Sequence, residues 1–453
     1  MTKRSIFLYP AIVAICFLYV GSVYMSQFYR LMDVIDGEKL DIITSCGNYL
    51  CQAAGIIFYM IGLKFAPKIF GSKKVFAGLL AAGSVFMLLS QLSSNTNIII
   101  GAGYAFNIHT GLCFGFYLSL FAAHACIKYA ATLYGIAYAV GSLGTYLLSL
   151  PSDGEFLKTG TIAILYGAFA LVTVILVLLG DSLPEVEDKT TDKPAVAQLS
   201  VIVVIMTVIS VIGSGLYYSL PQAADVNWNL IRCFYAAGLI LTGIVMDKGR
   251  RIGEIVTAVS LVYPLIVIAL IGEGVTGTVT MGLSYFFRGC LTIYYIISFT
   301  DFFAKERRML YLAPLGLCLS RITEALISYI VVRFHQSNLA NIIITALFFV
   351  PLIVMVIIRQ TASLKKSIQN IQSNEQGQMS DAQRMAHFAE SYKLTAREAE
   401  ILNLIREGLT DDEISTKINI SRNTVRFHVS NILKKTSTAS RVEAARAVDT
   451  FKV

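Results

Sequence analysis

The 453-residue chain is long enough for two or three domains, but its composition excludes an ordinary soluble protein: 55% is hydrophobic and only 15% charged, against about 25% charged in soluble domains. From Val75 to Ala123 there is no Asp, Glu, Lys or Arg, and about 20 apolar residues suffice to span a bilayer. The net charge of +8 points to nucleic acid, anionic lipid or both, and its distribution along the chain has to decide.

Lys3 and Arg4 precede a charge-free run from Ser5 to Tyr29. The run is too long for the core of a secretory signal and ends in bulky residues, so it reads as an uncleaved first span. Charges and turn residues then divide the first 358 residues into twelve apolar segments, at 5–27, 41–63, 74–93, 97–121, 128–149, 159–180, 198–220, 228–246, 254–271, 277–300, 309–332 and 338–358. Lipid leaves no solvent for backbone polar groups, so each segment is expected to be helical. The acidic interruption with Glu185, Glu187, Asp188 and Asp192 splits them six and six, into halves 1–180 and 198–358. With the N-terminus inside, the inner loops and tails hold eighteen Lys and Arg, among them Lys64, Lys73, Lys128, Lys189, Arg250, Arg307 and Arg359. The outer loops hold four, Arg30, Lys39, Lys158 and Arg333. That bias predicts an inner-membrane, multi-pass protein with both termini in the cytoplasm. The eight cysteines, Cys126 included, lie in or beside apolar stretches with no CxxC pair, which fits small buried hydrophobes.

Two loops share a pattern. After the second segment come Gly62, Lys64, Lys68, Gly71 and the pair Lys73, Lys74. After the eighth come Gly243, Asp247, Lys248, Gly249 and the pair Arg250, Arg251. Both resemble the loop motif that recurs in each six-helix half of the major facilitator superfamily. The resemblance implies a twelve-helix bundle of that fold. It also implies a loop that helps control alternation between conformations. The first copy has Ala66 and Pro67 where the family usually has an acid, and the second keeps Asp247 but is one residue short.

Ionisable groups within spans are expensive and tend to be functional. Arg288 lies near the middle of the tenth segment, and Arg321 and Glu324 near the middle of the eleventh, three apart and so on one helical face. An internal Arg321–Glu324 pair is one reading, and Arg288 then still needs a partner. The surplus of positive charge near Tyr285, Tyr294 and Tyr295 suggests instead a site for a small anionic or aromatic ligand, with Arg288, Arg321 and Glu324 in it. Arg232, near a span end, can snorkel to the interface, and His109 reads as a hydrogen-bonded packing residue. No nucleotide-binding loop, metal cluster or nucleophile–base motif stands out, so neither a cofactor nor an enzymatic activity is expected. No soluble α/β segment resembles a receiver domain, which argues against control by phosphotransfer.

Residues 359–390, rich in Gln, Ser and Asn, read as a polar cytoplasmic linker, with helix possible from Ser380 to Tyr392. A small helical domain is expected over 391–453. Thr395 with Glu398, Thr410 with Glu413 and Ser440 with Glu443 each fit a capping box, Ser421 is an N-cap, and Gly408 is a helix stop. The second helix, about 411–419, and the third, about 422–436, are joined by Asn419, Ile420 and Ser421, the layout of a helix-turn-helix. Val425, Val429 and Ile432 line one face of the third helix and should pack on Leu402, Ile405, Ile414 and Ile418. Asn423, Phe427, Ser430, Asn431 and Lys434 line the opposite face, flanked by Arg426. Lys417, Arg422, Arg426, Lys434, Lys435, Arg441 and Arg446 with Glu443 as the one acid among them form a phosphate-binding footprint.

The segment Leu394 to Leu402, with Gly408, Glu413 to Ser415, Ile418, Ser421, Thr424 to His428, Ile432 and Arg441, resembles the LuxR-type helix-turn-helix. The resemblance covers about 393–449 and implies a four-helix domain that dimerises on two half-sites of double-stranded DNA. Carried onto this chain, it places base contacts at Arg426, Phe427 and Ser430, with Thr424, His428 and Lys435 contacting phosphate or holding structure. Thr436 and Ser437 stand where the family usually has Leu-Gly, and Phe427 is larger than the usual residue. The whole reads as an all-α chain: a membrane-bound one-component transcription regulator that senses a ligand through its membrane domain. The alternative is a working transporter that carries a regulatory DNA-binding domain.

Overall fold

The computed structural model describes residues 3–124, 129–183, 193–215, 226–227, 230–272, 276–305, 307–334, 338–377 and 381–451. Lys128, Lys189, Cys126 and the acids of the central interruption lie outside the described residues. The chain divides into two compact units, Met1–Arg359 and Gln360–Val453.

In the first unit the described rods are α1 (Lys3–Met32), α2 (Gly37–Phe65), α3 (Lys73–Leu92), α4 (Thr96–His124), α5 (Ala130–Ser149) and α6 (Ile162–Leu179). The second half holds α7 (Lys193–Gly215), α8 (Ile231–Lys248), α9 (Arg250–Leu270), α10 (Gly277–Lys305), α11 (Leu315–Phe334) and α12 (Asn338–Gly377). Among the described residues, ten are long and apolar enough to cross a membrane. The other two of the twelve expected, α8 and α10, are equally long helices diluted by charge and tyrosine: Arg232, Asp247 and Lys248 in α8, and Arg288 with Tyr285, Tyr294 and Tyr295 in α10. The ninth segment is broken at Leu261 and Val262, just before Pro264, which has no N–H to donate and clashes with the preceding turn. Pro10 and Pro351 sit inside helices, as neighbours in a bundle allow.

Close packing in lipid rests on small residues at helix contacts. At the α2–α4 crossing a Cβ on Gly55 would lie 2.0 Å from the Ile108 carbonyl oxygen, and one on Gly111 2.1 Å from that of Gln52. Only glycine lets these two backbones touch. His109 is buried beside them with its ring nitrogen 3.5 Å from the Cys113 sulfur, a packing role. All seven described cysteines are free.

The second unit carries its own core. Residues expected as linker are largely helical: α12 runs on past Arg359 to Gly377, and α13 (Asp381–Ser391) follows. The reason is that a polar helix leaves no trace in hydropathy. Phe388 of α13 is fully buried among Ile401, Leu402, Ile405, Ile414, Val425 and Ile432, so this core begins before residue 391. Then come α14 (Ala396–Arg406), α15 (Asp411–Lys417), α16 (Arg422–Thr436) and α17 (Arg441–Thr450). Thr395 and Thr410 form full capping boxes with Glu398 and Glu413. Ser421 accepts from the Thr424 N–H. At Ser440 only half the box forms, because Glu443 accepts instead from the Ala439 N–H at 2.8 Å. Gly408 (φ 84) stops α14, with the Leu409 N–H reaching back to the Leu404 carbonyl, a Schellman closure. Ser437 takes the left-handed conformation (φ 56) that ends α16, a position where glycine is usual at helix ends.

A polar cavity in the bundle and an exposed helix face

The first candidate site is a cavity of about 700 Å³ within the membrane unit, in the size range of small-molecule pockets. It reaches from Met32 and Gly37 at the α1–α2 turn to Arg288, Arg321 and Glu324 on α10 and α11. Tyr24, Tyr49, Tyr138, Tyr235, Tyr285 and Tyr295 also line it. The three ionisable residues singled out by sequence come together. Glu324 accepts from the Arg321 guanidinium at 2.6 Å and from the Arg288 guanidinium with its other oxygen. One carboxylate thus serves two arginines from neighbouring helices, which answers what partners Arg288. The Arg321 guanidinium lies 4.6 Å from the centre of the Tyr49 ring, a cation–π contact. Among the described residues, its Nε and the Gln52 side-chain oxygen are buried without a hydrogen-bond partner. Sequence reasoning set aside Arg232 as a snorkelling residue, yet it lines the same cavity. Its position in the terminal turn of a segment could not reveal which way it points.

At the other end of α2 and α8 the two repeated loops behave differently. Both oxygens of Asp247 accept from the free N–H groups at the start of α5, Ala131 at 3.1 Å and Thr132 at 2.7 Å, where a helix N-terminus favours negative charge. Arg250 bonds Asp247 at 2.9 Å and also pairs with Asp301 of α10. The second-half loop therefore ties α8 and α10 to a helix of the first half. The first copy has no carboxylate at the matching place. Its Lys73 ammonium instead donates to the Gly180 carbonyl at 2.6 Å and the Gly71 carbonyl accepts from Leu183, hydrogen bonds within its own half, while Lys64 reaches the second half only by lying 5.9 Å from the centre of the Tyr311 ring.

The second candidate site is the outer face of α16. Val425 and Ile432 are buried, and the 100° spacing then turns Arg422, Asn423, Arg426, Phe427, Ser430 and Lys434 outward, all exposed. The Phe427 ring is 63% exposed, an apolar group set among the polar residues of this face. Asn431 and His428 are half-buried, the latter with an unpartnered Nδ1. Thr424 is exposed, its hydroxyl bonded to that of Ser421. Arg422 pairs with Asp412 at 3.1 Å, and Arg426 stands 3.6 Å from Asp411. Two expected basic contacts also bond within the domain, although Lys435 stays exposed. Lys435 donates to Glu398 at 2.6 Å and to the Lys393 carbonyl at 3.0 Å. Arg441 donates to Asp411 at 2.8 Å and to the Leu409 carbonyl. Burial pushes the Glu398 carboxyl up, but its bonds from Lys435 and Thr395 outweigh that and hold it below the ordinary range. Glu413 is likewise lowered by the Thr410 N–H of its capping box.

Known proteins resemble the two units separately. The GerE family, described as bacterial regulatory proteins of the luxR family, matches residues 392–448. The nitrate/nitrite response regulator protein NarL of Escherichia coli (strain K12) is 47% identical over 53 residues, 12% of this chain and 24% of that protein. The chain thus spans about a quarter of that relative. Among solved structures, the E. coli fucose:proton symporter FucP superposes with a TM-score of 0.56 at 12% identity, over 79% of this chain and 98% of that one. The nucleoside transporter NupG superposes with a TM-score of 0.50 at 10% identity, over 80% and 99%. Such identities establish fold alone. The chain therefore joins a membrane-capable helical bundle with the fold of major facilitator transporters to a C-terminal domain that matches the luxR-family helix-turn-helix.

Proposed function

We propose that the protein is a one-component transcription regulator of the inner membrane. A small molecule occupies the bundle cavity, and its binding changes how the C-terminal domain engages DNA as a dimer. Both termini face the cytoplasm, a reading supported by the excess of Lys and Arg in the loops assigned to the inner side. The observation that carries this reading is the coexistence, in one chain, of a cavity holding Arg288, Arg321 and Glu324 and a domain with an outward Phe427 and Arg426 on its third helix. On that helix Arg426, Phe427 and Ser430 read bases, while Arg422, Asn423, Thr424, His428, Asn431 and Lys434 position it on the phosphates. The test is a promoter reporter in cells that carry Arg288→Gln. The response to inducer should vanish while membrane insertion and DNA binding persist, and an unchanged dose response refutes the reading.

A second reading, a transporter with a regulatory domain, draws on the inter-half tie made by Asp247. Uptake into vesicles separates the two: the regulator reading expects none.

A further inference from the structure

Among the described residues, five charged side chains line the cavity: Asp41, Arg232, Arg288, Arg321 and Glu324. Three arginines against two carboxylates leave one positive charge in excess among them. Arg288 and Arg321 are already bonded to Glu324. Among the described residues no ion pair or hydrogen bond reaches Arg232. An uncompensated guanidinium inside a low-dielectric bundle is costly unless an anion joins it.

Beside Arg232 the wall is aromatic. Tyr24, Tyr29 and Tyr285 line the cavity together with Arg232. Phenol faces stack on rings, and their hydroxyls donate to anions. A neutral sugar would leave Arg232 unmatched. A dianion would need a second free cation, and Glu324 already holds both candidates.

We propose that Arg232 is the anion anchor of this cavity and that its ligand is a small aromatic monocarboxylate. The carboxylate sits on the Arg232 fork, which suits it bidentately, and the ring lies against Tyr24 and Tyr285. The assignment rests on the cavity being the ligand site of the regulator.

The test is thermal unfolding of the purified full chain with benzoate, phenylacetate, benzamide and terephthalate as probes. The two monocarboxylates should stabilise the wild type, and the neutral amide and the dianion should not. Arg232→Gln should weaken the stabilisation by about ten- to a hundredfold in concentration, and Arg232→Lys should keep part of it. Without probe, Arg232→Gln should melt no lower than wild type, because it removes a charge with no partner; a merely structural arginine would melt lower. If Arg232→Gln does not insert, the Arg232→Lys titration decides. Equal binding by Arg232→Gln, equal stabilisation by benzamide, or no stabilisation by either monocarboxylate overturns the assignment. Arg232-dependent binding without any change in reporter transcription would sink ligand sensing and leave the assignment standing. A transcriptional response untouched by Arg232→Gln would do the reverse.

Discussion

Lys435→Ala separates a strut from a phosphate contact. The lysine lies on α16, the helix proposed to meet DNA, but its ammonium is 2.6 Å from Glu398 and 3.0 Å from the Lys393 carbonyl. Glu398 is 4% exposed and Lys435 34% exposed as side chains. A hydrogen bond to a charged group contributes about 1.5–3 kcal/mol; partial exposure of the lysine lowers this to about 1–2 kcal/mol. A folded fragment of residues 380–453 should have a stability of about 4–11 kcal/mol, so the loss is a visible share of it. Thermal melting of the fragment should fall by roughly 5–15 °C. The sign of the pH effect follows from Glu398, whose folded pKa lies below its unfolded one. The stabilisation is present above the ordinary glutamate range and is lost as pH falls through the depressed value. The gap between wild type and Lys435→Ala should therefore close on acidification below about pH 4. At neutral pH the salt slope of DNA binding should stay that of the wild type. An unchanged melting temperature with a flatter salt slope would refute the strut and make Lys435 a phosphate contact.

Arg426→Ala and Phe427→Ala should instead relax sequence preference, by about 1–3 kcal/mol at the base each reads, with little change in melting; equal losses on a specific and a scrambled site would contradict base reading. Glu324→Gln leaves Arg288 and Arg321 facing each other without their carboxylate, and should destabilise the purified full chain by about 3–5 kcal/mol, seen as a lower melting temperature in detergent. Thr410→Ala removes the cap of α15 and should lower fragment stability by about 1 kcal/mol in urea unfolding. A reporter active only outside the cell, fused after the last residue, should stay silent; activity there would invert the topology.

Much of this molecule was legible locally. Apolar run length located the helices, and the caps at Thr395, Thr410 and Ser421 placed the starts of α14, α15 and α16 at the expected residues. The face of α16 followed from spacing alone, since burying Val425 and Ile432 fixes where Phe427 points. What escaped was long-range pairing. Nothing near Asp247 in sequence says that it caps α5, more than a hundred residues earlier, and nothing near Glu324 says that Arg288 shares it. Arg232 escaped because a terminal-turn arginine can reach outward to headgroups or inward to a cavity, and periodicity does not separate the two. Lys435 reads in sequence as contacting phosphate or holding structure because its charge is visible there and its buried acceptor is not. The helix beyond Arg359 escaped because polar helices carry no hydropathy signal.

The most direct measurement is a titration of the 380–453 fragment, held as a dimer by a fused coiled coil, against duplex DNA from the promoter beside its own gene across a range of salt. The account expects tight binding at low salt that weakens steeply as added salt shrinks the free-energy gain from counterion release, with the dimer well ahead of the monomer because two half-sites are engaged together. No binding by the folded dimer at low salt would contradict it.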